Sequence, residues 1–395
     1  MRNLGLIGKK ALPAGSRKED EEEERAGWGD LNEELLCCIL SRLDVMGDEV
    51  SFECVCKPWK LAAARRMPPP QAALASHHDS PPALDSAPYL MYLNHRTGRF
   101  NFHDPTRRGA TYSVRIPELL GDYPGEVECY YASCGWLLLR KGPKTYFLFN
   151  PSTMDRIDLP PVRDMPISFE SMCFSGSPTS SSCRIVGFVS YVPEQVAFIG
   201  ETMVGCDSWS VFANTSNPDD FVASICPPIV CDGSFYVLGE SGNLGCLWFR
   251  PPKKGLTEVS WEVIGKPADE LFETFKDQFL LESDGDIMCV ATLQGGGKVC
   301  VLKLDPHTQV WQKVDDLQGK ALYVSQSASF SQKAVSRGTG NKIYFPRFYN
   351  NRGLFYCLGT KEWRNFPHTF SSTNYYNTSA LLHSAWIGLS PHHNS

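Results

Sequence analysis

The sequence predicts an α+β multidomain chain: a small N-terminal helical module followed by an all-β propeller of six irregular blades. Three observations predict it. Leucine and isoleucine recur at helical spacing between residues 31 and 43. Prolines crowd residues 68–88, as Pro68-Pro69-Pro70, Pro81-Pro82 and Pro88, where no helix can continue. From Tyr89 onward, short runs of aromatic and β-branched residues alternate with Gly, Pro, Asn and Asp, as in a chain of many short strands and tight turns.

Taken in order, residues 1–27 come first. They hold six consecutive acids from Glu19 to Glu24, balanced by six bases (Arg2, Lys9, Lys10, Arg17, Lys18, Arg25). A block of like charges does not pack, so this segment reads as a disordered charged tail. In the helical module, residues 28–67, Leu31, Leu35, Leu36, Ile39, Leu40 and Leu43 form one apolar stripe. A second apolar set follows at Val50, Phe52, Val55, Trp59 and Leu61. About forty residues bury too little surface to enclose so many large side chains. The module is therefore expected to present part of its apolar surface to a partner.

Three strings carry a resemblance. Leu31-Asn32-Glu33-Glu34-Leu35-Leu36, Ile39-Leu40-Ser41-Arg42-Leu43 and Val55-Cys56-Lys57-Pro58-Trp59 together resemble the F-box, by which substrate receptors dock onto the Skp1 subunit of cullin-based ubiquitin ligases. The resemblance implies that Leu31, Leu35, Leu36, Ile39, Leu40, Leu43, Val55 and Trp59 make up the Skp1-facing surface and the small core beneath it. Two residues depart from the family pattern. Asn32 stands where the family has proline, and asparagine is itself a good N-cap. Pro58 lies in sequence that is normally helical, where it kinks or restarts the helix.

Residues 68–88 read as a Pro-rich linker, and residues 89–390 as the propeller. One unit there runs Tyr89-Leu-Met-Tyr-Leu, Arg99-Phe-Asn-Phe-His-Asp-Pro, Tyr112-Ser-Val-Arg-Ile-Pro. The next repeats its order with Ser133-Cys-Gly-Trp-Leu-Leu-Leu, Thr145-Tyr-Phe-Leu-Phe-Asn-Pro and Asp155-Arg-Ile-Asp-Leu-Pro. Similar units start at Gly285 and Asn341, with less regular ones around Arg184 and Cys231, giving five to six in all. Their spacing of roughly 45–60 residues suits propeller blades, and a β-sandwich with insertions stays open as the alternative. In order, these motifs, with Ser133-x-Gly135-Trp136-Leu137, Gly340-Asn341-Lys342-Ile343-Tyr344-Phe345 and Ser384-Ala385-Trp386-Ile387, resemble plant F-box proteins of the kelch-like, KIB type. Kelch repeats proper carry a Gly-Gly pair in each blade, and here only Gly295-Gly296-Gly297 fits.

Composition and motifs exclude several function classes. The net charge of −6 disfavours nucleic acid as a partner. No apolar run approaches the length of a membrane span or a signal peptide, and the 15 cysteines are scattered without a C-x-x-C pair. The expectations are reduced thiols, a cytoplasmic or nuclear location, and no metal or other cofactor. Gly239-x-x-Gly242-x-x-Gly245 has the wrong spacing for a dinucleotide loop, and Gly297-Lys298-Val299 lacks the hydroxyl residue of a phosphate loop. No catalytic constellation stands out. The aromatic pairs Tyr130-Tyr131, Phe348-Tyr349 and Tyr375-Tyr376, beside turn residues, are candidate anchors for a bound protein. The function expected is substrate recognition in an SCF-type ubiquitin ligase: docking on Skp1, and through it cullin, while the propeller holds a target protein. The alternatives are a non-ligase scaffold with a degenerate F-box and a propeller enzyme with a helical appendage.

Overall fold

The computed structural model describes residues 31–40, 52, 55–65, 88–94, 99–103, 111–115, 127–151, 153–162, 169–191, 196–214, 221–253, 256–264, 272, 275–293, 298–334, 339–349, 352–364, 379–380 and 384–388. The expected tail at 1–27, most of the expected linker and the Gly295–Gly297 run lie outside these residues. Two helices are described, α1 (Glu33–Leu40) and α2 (Lys57–Arg65). Neither is long and apolar enough to cross a membrane.

The rest is a six-bladed, all-β propeller. Blade 1 contains β1 (Tyr89–Asn94), β2 (Arg99–His103) and β3 (Thr111–Arg115). Blade 2 is β4 (Val127–Ser133), β5 (Trp136–Lys141), β6 (Thr145–Phe149) and β7 (Arg156–Asp158). Blade 3 follows with β8 (Ser171–Phe174), β9 (Arg184–Tyr191), β10 (Val196–Met203) and β11 (Ser210–Asn214). Blade 4 has β12 (Ile229–Cys231), β13 (Ser234–Leu238), β14 (Leu244–Lys253) and β15 (Leu256–Ile264). Blade 5 has β16 (Phe275–Ser283), β17 (Asp286–Leu293), β18 (Val299–Leu304) and β19 (Trp311–Lys313). Blade 6 is wider: β20 (Lys320–Tyr323), β21 (Phe330–Lys333), β22 (Lys342–Tyr349), β23 (Arg352–Cys357) and β24 (Glu362–Arg364), with the short β25 (Ser379–Ala380) on β22. The last strand, β26 (Ser384–Ile387), returns to blade 1 and pairs antiparallel with β1, Tyr89 opposite Ile387. Both ends of the β region thus share one sheet, and that closes the ring. Six separate sheets arranged this way exclude the sandwich alternative.

The blades seen in sequence are three strands wide, and the structure adds the innermost fourth. The missing strands are β4, β8, β12 and β16, both β20 and β21 in blade 6, and, for blade 1, β26. All four residues of β8 are buried, and β12 is three residues long, so neither shows a period-2 pattern. Blade 1 could not be completed by local reading at all, since its inner strand arrives from the far end of the chain.

Two turns recur. In blades 2, 4 and 5 the innermost strand reaches its neighbour through a two-residue hairpin with both residues at positive φ: Cys134-Gly135, Asp232-Gly233 and Asp284-Gly285. This is the type I′ geometry whose twist matches the strands, and glycine takes its second position without strain. The Asn-Pro and Asp-Pro motifs form the second turn. The Asp305 carboxylate accepts the His307 and Thr308 N–H groups at 2.8 and 3.1 Å, and Gln309 closes the turn at φ 56°. Asn150 and Met154 repeat the arrangement in blade 2, with the Asn150 amide oxygen accepting the Thr153 N–H at 3.2 Å.

Six apolar clusters fill the six interfaces between blades. Leu137 and Leu139 of β5 pack with Met91 and Phe100 of blade 1, whereas Leu138 packs with Met172 and Ile185 of blade 3. All three leucines are fully buried, which is why Trp136-Leu-Leu-Leu reads as a continuous apolar run. Each contributes on the order of 1.5–3 kcal/mol by burial. Between blades 3 and 4, the Trp261 ring stacks on Phe188 at 5.4 Å and lies against the bare backbone of Gly245. A Cβ there would stand 1.9 Å from the Trp261 ring. Gly245→Ala is therefore expected to lower stability by roughly 1–3 kcal/mol, read as a fall in urea midpoint at unchanged slope.

Candidate functional site

The helical pair is the first candidate surface. Asn32 starts α1 as the expected cap: its side-chain oxygen accepts the Leu35 N–H at 2.9 Å, and its carbonyl accepts the Leu36 N–H at 3.1 Å. Pro58 falls in the first turn of α2, where a missing N–H costs no helical bond, so it starts this helix rather than kinking it. Leu36, Phe52, Trp59 and Ala62 form the buried core of the pair, with the Phe52 and Trp59 ring centroids 4.4 Å apart. Leu31, Ile39 and Cys56 pack half-buried at its edge.

Other apolar side chains of the pair point outward. Leu35 is 51% exposed, Val55 51% and Leu61 54%. These are three of the six exposed large hydrophobics among the described residues, on two short segments. The expected docking set thus divides. Leu36 and Trp59 are core, Leu35 and Val55 are surface, and Leu31 and Ile39 lie between. The Leu40 side chain and Leu43 lie outside the described residues. Leu61 was missing from that set, although it belongs to the same apolar run and lies two residues from Trp59, on the side of α2 away from the core.

The propeller aromatics are differently placed. Tyr130 and Tyr131 are not on a loop. They lie within β4 at a bulge, where Cys129 pairs with Leu139 and Tyr131 with Leu138. Tyr130 packs edge-on against Tyr146 at 5.9 Å, with Arg140 5.3 Å from its ring centroid, and Arg140 pairs with Glu128 at 2.5 Å. Tyr131 meets Phe174 of blade 3 edge-on at 5.0 Å. Burial pushes both phenols well above the usual tyrosine range. Phe348, near the end of β22, is half-buried and packs edge-on against His103 of blade 1 at 4.8 Å. The structure does not gather these residues into one site: two belong to blade 2 and one to blade 6. The Tyr349 side chain, Tyr375 and Tyr376 lie outside the described residues.

Nucleophilic chemistry finds little support in the thiols. Burial raises the Cys129 thiol to about 12 and those of Cys183 and Cys231 to about 11. It also raises Cys173, Cys226 and Cys289. At Cys357 burial is outweighed by hydrogen bonds from Thr360, and the thiol sits below its ordinary range. Among the described residues, no three His, Cys, Asp or Glu side chains are grouped to hold a metal ion.

Residues 100–372, more than half of the chain, match the KIB1-4 beta-propeller family. The chain belongs to that family. Its KIB1-4 region accounts for most of the propeller described above. Two relatives from Arabidopsis thaliana are F-box/kelch-repeat proteins. One is 27% identical over 82% of this chain and 85% of its own length. The other is 26% identical over 91% of this chain and 93% of its own. The chain is thus similar to plant F-box proteins of the KIB type along nearly its whole length.

The burial pattern in this KIB1-4 chain sets an order of thiol reactivity. Among the cysteines of the described residues, iodoacetamide at pH 7.5 is expected to modify exposed Cys134 and Cys206 first and Cys357 next in the folded chain, leaving Cys173, Cys226 and Cys289 intact. Peptide mapping checks this order. Early labelling of Cys173 would contradict the packing described.

Proposed function

We propose that this chain is a substrate-recognition subunit of an SCF-type cullin-RING ubiquitin ligase. On this reading residues 28–67 dock on a Skp1-like adaptor, and through it on cullin, while residues 89–390 hold a target protein at the propeller's loops. The observation that carries the proposal is the exposure of Leu35, Val55 and Leu61 on a helical pair of F-box-like sequence joined to a KIB1-4 propeller. Relatives named as F-box proteins support it. The chain acts without a covalent intermediate. It contributes proximity, keeping the target's lysines near a ubiquitin-loaded enzyme, so that transfer occurs within one assembly. It is a non-enzymatic adaptor, needs no cofactor, and works in the cytoplasm or nucleus.

The burial values determine the mutant that tests this. Leu36 is 2% exposed, so Leu36→Asp would unfold the helical pair and confuse the result. Leu35→Asp with Val55→Asp alters the surface alone. This double variant is expected to lose affinity for recombinant Skp1 by roughly 30-fold or more, the scale of two interface contacts at ~1 kcal/mol each. Its near-UV circular dichroism should match the wild type. Undiminished capture of Skp1 by the variant would remove this face from the reading. A well-folded wild type that captures no Skp1 would leave the non-ligase scaffold in its place.

A further inference from the structure

Blade 6 departs from the other five. The chain first lays down β20 parallel to β22, turns through Val324–Ser329, and returns antiparallel as β21, which takes the innermost place. The turn does not stay in its own blade. The Ser327 carbonyl accepts the Ala132 N–H at 2.9 Å, and the Ser327 hydroxyl donates to the Cys129 carbonyl at 2.8 Å. Both partners belong to β4 of blade 2, whose inner edge has no neighbour in its sheet. Trp386 of β26 donates its indole N–H to the Val324 carbonyl at 3.0 Å. Val324 is anchored at home by its own N–H, which the Tyr344 carbonyl accepts at 3.0 Å. One six-residue segment therefore joins blade 6 to blades 1 and 2.

This segment is built to fit. Val324, Ser325, Ser327 and Ala328 are all at most 2% exposed. Buried hydroxyls destabilise a fold unless bonded, and these are bonded. The Ser325 hydroxyl donates to the Ala328 carbonyl at 2.7 Å and accepts the Ala328 N–H at 3.1 Å, while the Ser329 hydroxyl donates to the Ser325 carbonyl at 3.2 Å. Ala328 packs in the same cluster as Met91, Ala132 and Ala385, across the interface of blades 1 and 2.

Its position coincides with the seam where the ring is closed. Blade 1 alone is assembled from the two ends of the β region, its inner strand β26 arriving from the far end of the chain. We propose that Val324–Ser329 is an internal latch on ring closure. It clasps β26 through Trp386 and β4 through Ser327, so the seam at blade 1 opens only when the latch releases.

Amide hydrogen exchange on the full chain tests this, comparing the wild type with Ser325→Ala and Ser327→Ala. The expected result is exchange faster by about tenfold or more at Ala132 and residues 384–387, with β9 and β14 unchanged. Equal acceleration in every blade, or no change at Ala132 and 384–387, would overturn the latch. A second measurement needs no variant. In wild-type chain at low denaturant, Ala132, Val324 and residues 384–387 should open together as one cooperative unit. Separate opening of Ala132 and β26 would equally overturn it.

Discussion

Every sheet in this propeller needs apolar cover on both of its faces. A four-stranded blade standing alone would expose two sheets of leucine, phenylalanine and valine, and stacking in an open row would still leave the two end blades half bare. Only a closed ring covers all of them. The pairing of β26 with β1 is therefore the contact on which the other five interfaces depend. It is a long-range contact between the two ends of the β region. Burial of Leu90 and Trp386, both at most 2% exposed, accompanies it.

The helical pair obeys the opposite logic. Among the described residues it has a core of four buried side chains, and a module of this size cannot hide all of its apolar surface. Among the described residues, the two short helical segments expose Leu35, Val55 and Leu61, as many large apolar side chains as the whole of the much larger propeller, which exposes Met154, Val211 and Ile225. Under the proposed function, this density of exposed apolar side chains on a small helical pair is what a docking element would present.

This contrast also explains what was legible in the sequence. The outer three strands of several blades could be read because their ends carry strong turn chemistry, such as Asn150-Pro and Asp305-Pro. The inner strands could not. β8 is buried on both faces, β12 is only three residues long, a bulge interrupts β4, and β26 is nearly 300 residues from the strand it pairs with. In the helical pair, the cap at Asn32 and the apolar stripe were evident from residue types alone. Which leucine of Leu35-Leu36 faces inward was not, because adjacent positions on a helix differ by only about 100° and the direction of the core is set by Phe52 and Trp59. Tyr130 and Tyr131 misled for a related reason. A bulge in β4 breaks the alternation that would have marked them as strand residues.

The extra strand in blade 6 bears on symmetry. A ring of six equal blades offers a partner at its axis six equivalent rotational settings, and affinity is then shared among competing registers. Here β20 displaces the innermost strand of one blade inward, and the turn beyond it crosses toward blade 2. The axis is thereby given a single marked direction. Any ligand approaching that axis would find one blade distinguishable from the other five.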